Sequence, residues 1–176
     1  MKIKRTQILN LVLLFFTIIS LIILYFDLGK TNFGIYISST INNVVPSITP
    51  TAAITQTPES SALILAFTWL MVIFGTLSMI LIADWKAIDY EEVYKKLSGW
   101  PVFGIFILTP ILIVFTMFSV PYDSGRSGRF IFMNLKEFKL FIILYGAGIW
   151  LSFSAGLFAA FFIAVSFYIK NFKKAK

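Results

Sequence analysis

Long apolar runs alternate with short polar segments along this chain, and the lengths of the runs predict its fold. An α-helix needs roughly 20 residues to cross the hydrocarbon core of a bilayer. Four runs are about that long, at residues 8–26, 61–83, 101–120 and 140–169. The pattern predicts an all-α integral membrane protein, in which residues 1–176 form a single domain of four transmembrane helices.

Three of these runs have features of their own. The first follows the basic stretch MKIKRTQ, but it exceeds the roughly 7–15 apolar residues of a signal peptide, so we interpret it as a retained anchor. In the third, Thr109 and Pro110 predict a kink, because proline removes a backbone hydrogen bond. The fourth, at about 30 residues, is longer than a bilayer requires and is expected to tilt or to extend beyond the lipid.

The composition supports a membrane protein and removes much active-site chemistry. Of the 176 residues, 59% are hydrophobic and 13% are charged. Without cysteine or histidine the chain lacks disulfides, thiol ligands and the commonest general base and metal ligand. The predicted spans contain no Asp, Glu, Lys or Arg, and only Asp84 stands at an edge, whereas proton relays and ion-coupled transporters place such groups at membrane depth. We predict no enzyme activity, no cofactor and no metal.

The distribution of lysine and arginine predicts the orientation. Ten of the fifteen lie in the N-terminal tail, in the loop 84–100 and in the C-terminal tail. By the positive-inside rule these three segments face the cytoplasm, and the loops 27–60 and 121–139 face outward. The same lysines account for the net charge of +7, so the charge gives no reason to expect a nucleic-acid partner.

The connecting loops differ in character. The cytoplasmic loop is expected to form a short surface helix, because Glu91 and Glu92 each precede a lysine by four residues, and Trp85 and Trp100 are expected at the lipid interface. The first outer loop contains SSTINNVVPSITPTAAITQTPESS, whose polar residues and prolines predict an extended or irregular connection. Its FGIYI and INNVV segments also favour a short amphipathic element on the outer membrane surface.

The last predicted span contains a row of small residues. Gly148, Ser152 and Gly156 recur every four residues along YGAGIWLSFSAGLFAAFF. Such rows let helix backbones approach closely in lipid, so the row predicts a packing face. Two partners for that face are open: the other helices of this chain, or helices of another protein.

Several short motifs together resemble a known family. The first outer loop contains Pro46, Ser47, Ile48 and Thr49. The second outer loop contains SGRSGRFIFMN, which includes Gly128 and Arg129. The last span begins within FKLFIILY and is followed by the tail KNFKKAK. With four spans and cytoplasmic termini, this layout resembles the immunity proteins against pore-forming colicins of the colicin A type. The threonines that precede the second-loop glycine in that family are replaced here by serine and arginine.

The resemblance implies a multi-pass protein of the bacterial inner membrane. Such a protein binds the pore-forming domain of its toxin, an apolar helical hairpin that enters from the outer side, and blocks channel opening. The resemblance and the small-residue row give the expected partner-binding residues, which are Pro46, Ser47, Ile48, Arg126, Gly128, Arg129, Gly148, Ser152 and Gly156. For Arg126 and Arg129 the alternative is contact with phosphates of the lipid bilayer.

Other classes of protein remain open. A non-catalytic accessory subunit of a larger membrane complex would show the same lack of chemistry. A small transporter or channel is disfavoured by the absence of charge within the spans. A claudin-like tetraspan would carry W…GLW…C…C in its first outer loop, and this chain does not. The sequence leaves the toxin and the oligomeric state undetermined.

Overall fold

A computed structural model describes residues 5–83, 102, 104–121 and 125–174, with side chains described for residues 8–83, 102, 104–121 and 127–168. The predicted cytoplasmic loop, with Asp84, its surface helix and its two tryptophans, lies outside these ranges. Over the described ranges the chain forms helices and turns without strands. The elements, in chain order, are α1 Arg5–Tyr25, a 3₁₀ turn Leu28–Lys30, α2 Asn32–Asn42, α3 Ile48–Ala53, α4 Pro58–Ile82, a π-helical turn Gly104–Leu108, α5 Thr109–Phe118, α6 Gly125–Glu137 and α7 Phe141–Lys174.

Three helices are long and apolar enough to cross a membrane. The candidate spans are Ile8–Tyr25, Pro58–Ile82 and Phe141–Tyr168. A further apolar helix, Gly104–Phe118, lies within the third predicted run but is shorter. The chain is therefore an all-α, multi-pass membrane protein with three candidate spans among its described residues. The fourth span and the cytoplasmic location of both termini remain predictions.

The last apolar helix is as long as its sequence predicts. α7 has 34 residues, which corresponds to about 51 Å at 1.5 Å per residue, against roughly 30 Å for the hydrocarbon core. A π-helical turn directly precedes α5, next to Thr109 and Pro110, and the kink at these two residues stays a prediction. Such turns commonly occur where the regular hydrogen-bond ladder is interrupted.

The core lies between α4 and α7, with α1 packed against both. Phe16 of α1 is fully buried, stacks on Phe67 at a ring distance of 5.6 Å and lies 6.0 Å from the Trp150 ring. The Ser154 hydroxyl of α7 donates a hydrogen bond to the carbonyl of Val72 in α4, at 3.0 Å. Small residues at this contact bring the two backbones close together.

The expectation of an irregular first outer loop is wrong. Residues 27–60 contain two helices, α2 and α3, which pack against α4. Helix formation is favoured because Val45, Ile48 and Ala52 bury their side chains in the core. The hydroxyl of Thr31 also caps α2 by accepting a hydrogen bond from the Gly34 amide at 3.0 Å. The second outer loop is likewise helical over most of its length, because α6 buries Leu135.

A tight turn joins α1 to the outer segments. Asp27 adopts a left-handed backbone conformation, with φ 48° and ψ 40°. Its carboxylate accepts hydrogen bonds from Lys30 Nζ and from the Ser60 hydroxyl, each at 3.2 Å. The Lys30 hydrogen bond and charge, with smaller contributions from Ser60 and Lys139, hold the pKa of the Asp27 carboxyl below its usual value. The turn thereby connects the end of α1 to the start of α4.

Candidate functional site

The Pro46-Ser47-Ile48 motif joins the first outer segment to the end of α5. The amide of Ser47 donates to the Met117 carbonyl, and its hydroxyl donates to the Thr116 carbonyl, both at 3.0 Å. These two carbonyls belong to the last turn of α5, where helical carbonyls have no partner within the helix. Ser47 and Ile48 are buried, and Pro46 is exposed. The motif therefore acts mainly as an internal tie, with Pro46 as its outward-facing residue.

Gly128 of α6 lines a groove on the surface of the molecule. The groove has a volume of about 290 Å³ and lies between the end of α5, the helix α6 and the start of α7. Its walls are mostly apolar, formed by Phe115, Thr116, Ser119, Val120, Pro121, Ile131 and Tyr145. A concave apolar surface of this size can hold a bulky side chain of a partner.

The two arginines lie on α6 rather than on an irregular loop. Arg129 is exposed, and Arg126 occupies the first turn, where the structure describes the backbone alone. α6 is held at its last residue, where Gln56 Nε2 donates to the carbonyl of Glu137 at 2.8 Å, and near its middle, where Phe130 meets Phe141 edge to face. The basic residues are thus presented by a helix that is attached to the first outer segment.

The predicted small-residue row is divided by the structure. Gly156 contacts α5, because a Cβ built there would lie 2.8 Å from Thr109 Cγ2. A Cβ on Gly148 would have no described atom within 4 Å outside its own helix backbone. Ser152 is also exposed. Two of the three residues therefore face outward from the described helices, and Gly156 packs within the chain.

The face of α7 that packs most closely within the chain is a different one. A Cβ on Gly146 would lie 2.5 Å from Thr68 Oγ1 and 3.2 Å from Phe16 Cζ. One on Gly75 would lie 2.5 Å from the Ser154 hydroxyl. Sequence reasoning missed this contact, although Gly146 and Ser154 are eight residues apart and so share a face of the helix. The segment YGAG contains both Gly146 and Gly148, and nothing in the sequence distinguishes the glycine that packs within the chain from the one that does not.

Little in the described part of the chain resembles a catalytic or metal site. No group of three or more Asp and Glu side chains there could hold a metal ion. Three buried polar atoms lack a hydrogen-bond partner among the described residues, namely Ser20 Oγ, Thr57 Oγ1 and Trp150 Nε1. The site that the geometry does offer is a binding surface: the groove at Gly128, the exposed Arg129 and the open face at Gly148 and Ser152.

Comparison of the chain with protein-family models, with curated proteins and with solved structures finds no match.

Proposed function

We propose that this chain is a bacteriocin immunity protein of the bacterial inner membrane. It binds the pore-forming domain of a colicin-like toxin in the membrane and blocks channel opening. In this proposal all four apolar runs cross the bilayer, and both termini lie in the cytoplasm. The protein acts by binding alone, with no catalytic residue and no cofactor.

One observation carries the proposal beyond the motif resemblance: the outward small-residue face of α7. In lipid, helices associate through close backbone contact at small residues, since no hydrophobic driving force exists between them. Gly148 and Ser152 offer such a face, and the described helices of the chain leave it open. It suits an apolar helix that has entered the bilayer, such as one arm of a toxin hairpin.

The outer helices supply a second contact region in this proposal. The positive-inside prediction places the groove at Gly128 and the exposed Arg129 on the side from which the toxin arrives. Pro46 is the exposed part of its motif. Ser47, Ile48 and Gly156 contribute indirectly, by fixing the positions of α3, α5 and α7.

Survival assays test the proposal. Sensitive bacteria that express the chain are challenged with dilution series of a panel of pore-forming bacteriocins, and membrane levels are checked by immunoblot. Protection against one member of the panel, and not against nuclease bacteriocins, is the expected result. Sensitivity to every member, at normal membrane levels, would contradict the proposal. Stable co-purification with another membrane protein in the same cells would then favour an accessory subunit.

A double substitution tests whether the two arginines take part in toxin recognition. Replacing Arg126 and Arg129 together by glutamine is expected to reduce protection modestly, because charges at the rim of an interface mainly affect association rate and salt dependence. Insertion and expression should be unchanged. If the double variant protects as well as the parent at every toxin dilution, the two arginines take no part in recognition.

A further inference from the structure

A crevice opens between α1, α4 and α7 at the end of the bundle where α1 begins and α4 ends. Its volume is about 330 Å³, and it is open on one side rather than closed. The residues that line it are Ile8, Leu9, Val12, Gly75, Ser78, Met79, Ile82, Ala83, Trp150 and Phe158. It lies apart from the groove at Gly128 and from the open face of α7 used in the proposed function.

The crevice exists because α1 packs unevenly along its length. Towards its outer end α1 buries Phe16, Ser20, Ile23 and Leu24. Towards its start the packing weakens, and Leu9 remains 40% exposed. Gly75 leaves the opposite wall without a side chain, so the crevice reaches the Trp150 ring in the middle of the bundle.

The chemistry of the walls selects an apolar occupant. Among the lining residues that the structure describes, only Ser78 and Trp150 carry a side-chain nitrogen or oxygen, and none is charged. A buried water needs two to four polar partners, so such walls hold water poorly. Apolar cavities of about 150 Å³ already bind a molecule the size of benzene, and this crevice is larger.

The position of the crevice identifies that occupant. From Gly75 to Ile82 it runs along eight residues of α4, about 12 Å at 1.5 Å per residue. One leaflet contributes about half of the roughly 30 Å hydrocarbon core. The crevice therefore extends through most of one leaflet, where the surrounding medium consists of lipid acyl chains.

We propose that this crevice binds one acyl chain of a membrane phospholipid, with its end against Trp150. The phospholipid comes from the leaflet at the start of α1, which the positive-inside prediction assigns to the cytoplasmic side. The acyl chain fills the space between α1 and the α4–α7 pair and so supports the weakly packed start of α1.

Fluorescence quenching tests this binding. A variant with Trp150 as its sole tryptophan, made by Trp69→Phe, Trp85→Phe and Trp100→Phe, is reconstituted in vesicles of phosphatidylcholine with brominated acyl chains. Trp150 is fully buried and lies at the inner wall of the crevice, so bromine on a chain inside the crevice comes closer to its ring than bromine on lipid around the bundle. The expected result is a loss of at least half of the Trp150 emission relative to unbrominated vesicles.

Two variants are designed to block the crevice from opposite walls, and a third variant serves as the control. Ser78→Phe on α4 and Val12→Phe on α1 should each restore most of the emission. Leu77→Phe adds the same ring beside Ser78 but at a position that is 50% exposed and outside the lining, so quenching should persist. Unquenched emission in the parent would show that protein rather than lipid fills the crevice. Undiminished quenching in folded Ser78→Phe and Val12→Phe variants would show another route to Trp150, and either result overturns the proposal.

Discussion

At the scale of single residues, Gly146 and Gly148 show how differently two neighbouring glycines can act. Two positions apart on a helix, they point to nearly opposite sides. Gly146 lies against Thr68 and Phe16, whereas Gly148 faces open space. The first is therefore required for packing within the chain, and the second is available to a partner.

This difference predicts opposite results from one substitution. Gly146→Leu should destabilise the fold by at least about 1–3 kcal/mol, because a leucine there overpacks the contact with α1 and α4. Gly148→Leu should leave stability unchanged. Thermal unfolding in detergent measures both, and each variant is the control for the other. An equal loss of stability would mean that the faces of α7 are assigned incorrectly.

The same two substitutions distinguish an effect on folding from an effect on toxin recognition. If the proposed function is correct, Gly148→Leu inserts normally but loses protection, since its bulk prevents close approach of a toxin helix. Full protection by a stable Gly148→Leu protein would remove this face from the binding surface.

At the scale of elements, the outer helices form a connected layer rather than loose loops. α3 is tied to the end of α5 through Ser47, and the connection before α4 is tied to α6 through Gln56. Exposed aromatic and other apolar side chains surround this layer, among them Tyr25, Phe26, Phe33, Tyr36, Phe118, Phe130, Phe138 and Leu140. Aromatic side chains are typical of membrane interfaces, so the layer is expected to lie at the level of the lipid headgroups.

The tie between α3 and α5 can be tested by removing one hydroxyl. Ser47→Ala deletes the bond to Thr116 and should cost about 0.5–1.5 kcal/mol. The last turn of α5 should then exchange its amide hydrogens faster than in the parent. Ser39→Ala is a matched control, because that hydroxyl is exposed and bonds only within α2. Equal exchange in both variants would show that the tie does not hold α5.

At the scale of the whole molecule, the orientation of the chain decides which of its surfaces a toxin can reach. The proposed binding regions are accessible only if α2, α3 and α6 lie outside the cytoplasm. The ten-to-five distribution of basic residues predicts this orientation.

Cysteine labelling tests the orientation cleanly, since the chain has no native cysteine. Cysteines at Asn43 and Ser127, both exposed, should react with a membrane-impermeant thiol reagent in intact cells. A cysteine at Ser98, in the segment predicted to be cytoplasmic, should react only after the membrane is permeabilised. The reverse pattern would invert the topology and place Arg129 on the cytoplasmic side.

The sequence by itself determined the class of the protein and the positions of its long helices. Hydropathy is a local property, so runs of apolar residues are readable without knowledge of their neighbours. The three candidate spans begin and end within a few residues of the predicted runs.

Only the tertiary structure decided which surfaces are inside. Spans that are apolar all around have no polar face to mark the outside, so the sequence could not distinguish the buried Gly146 from the open Gly148. α3 and α6 were missed for a related reason, whereas FGIYI, where an amphipathic element was predicted, lies in α2. The stability of α3 and α6 depends on burying Ile48 and Leu135 against distant parts of the chain, and tertiary packing supplies most of the stability of short helices. The sequence could not show that Ser47 ties α3 to α5 either, since its hydrogen bonds go to residues about 70 positions away.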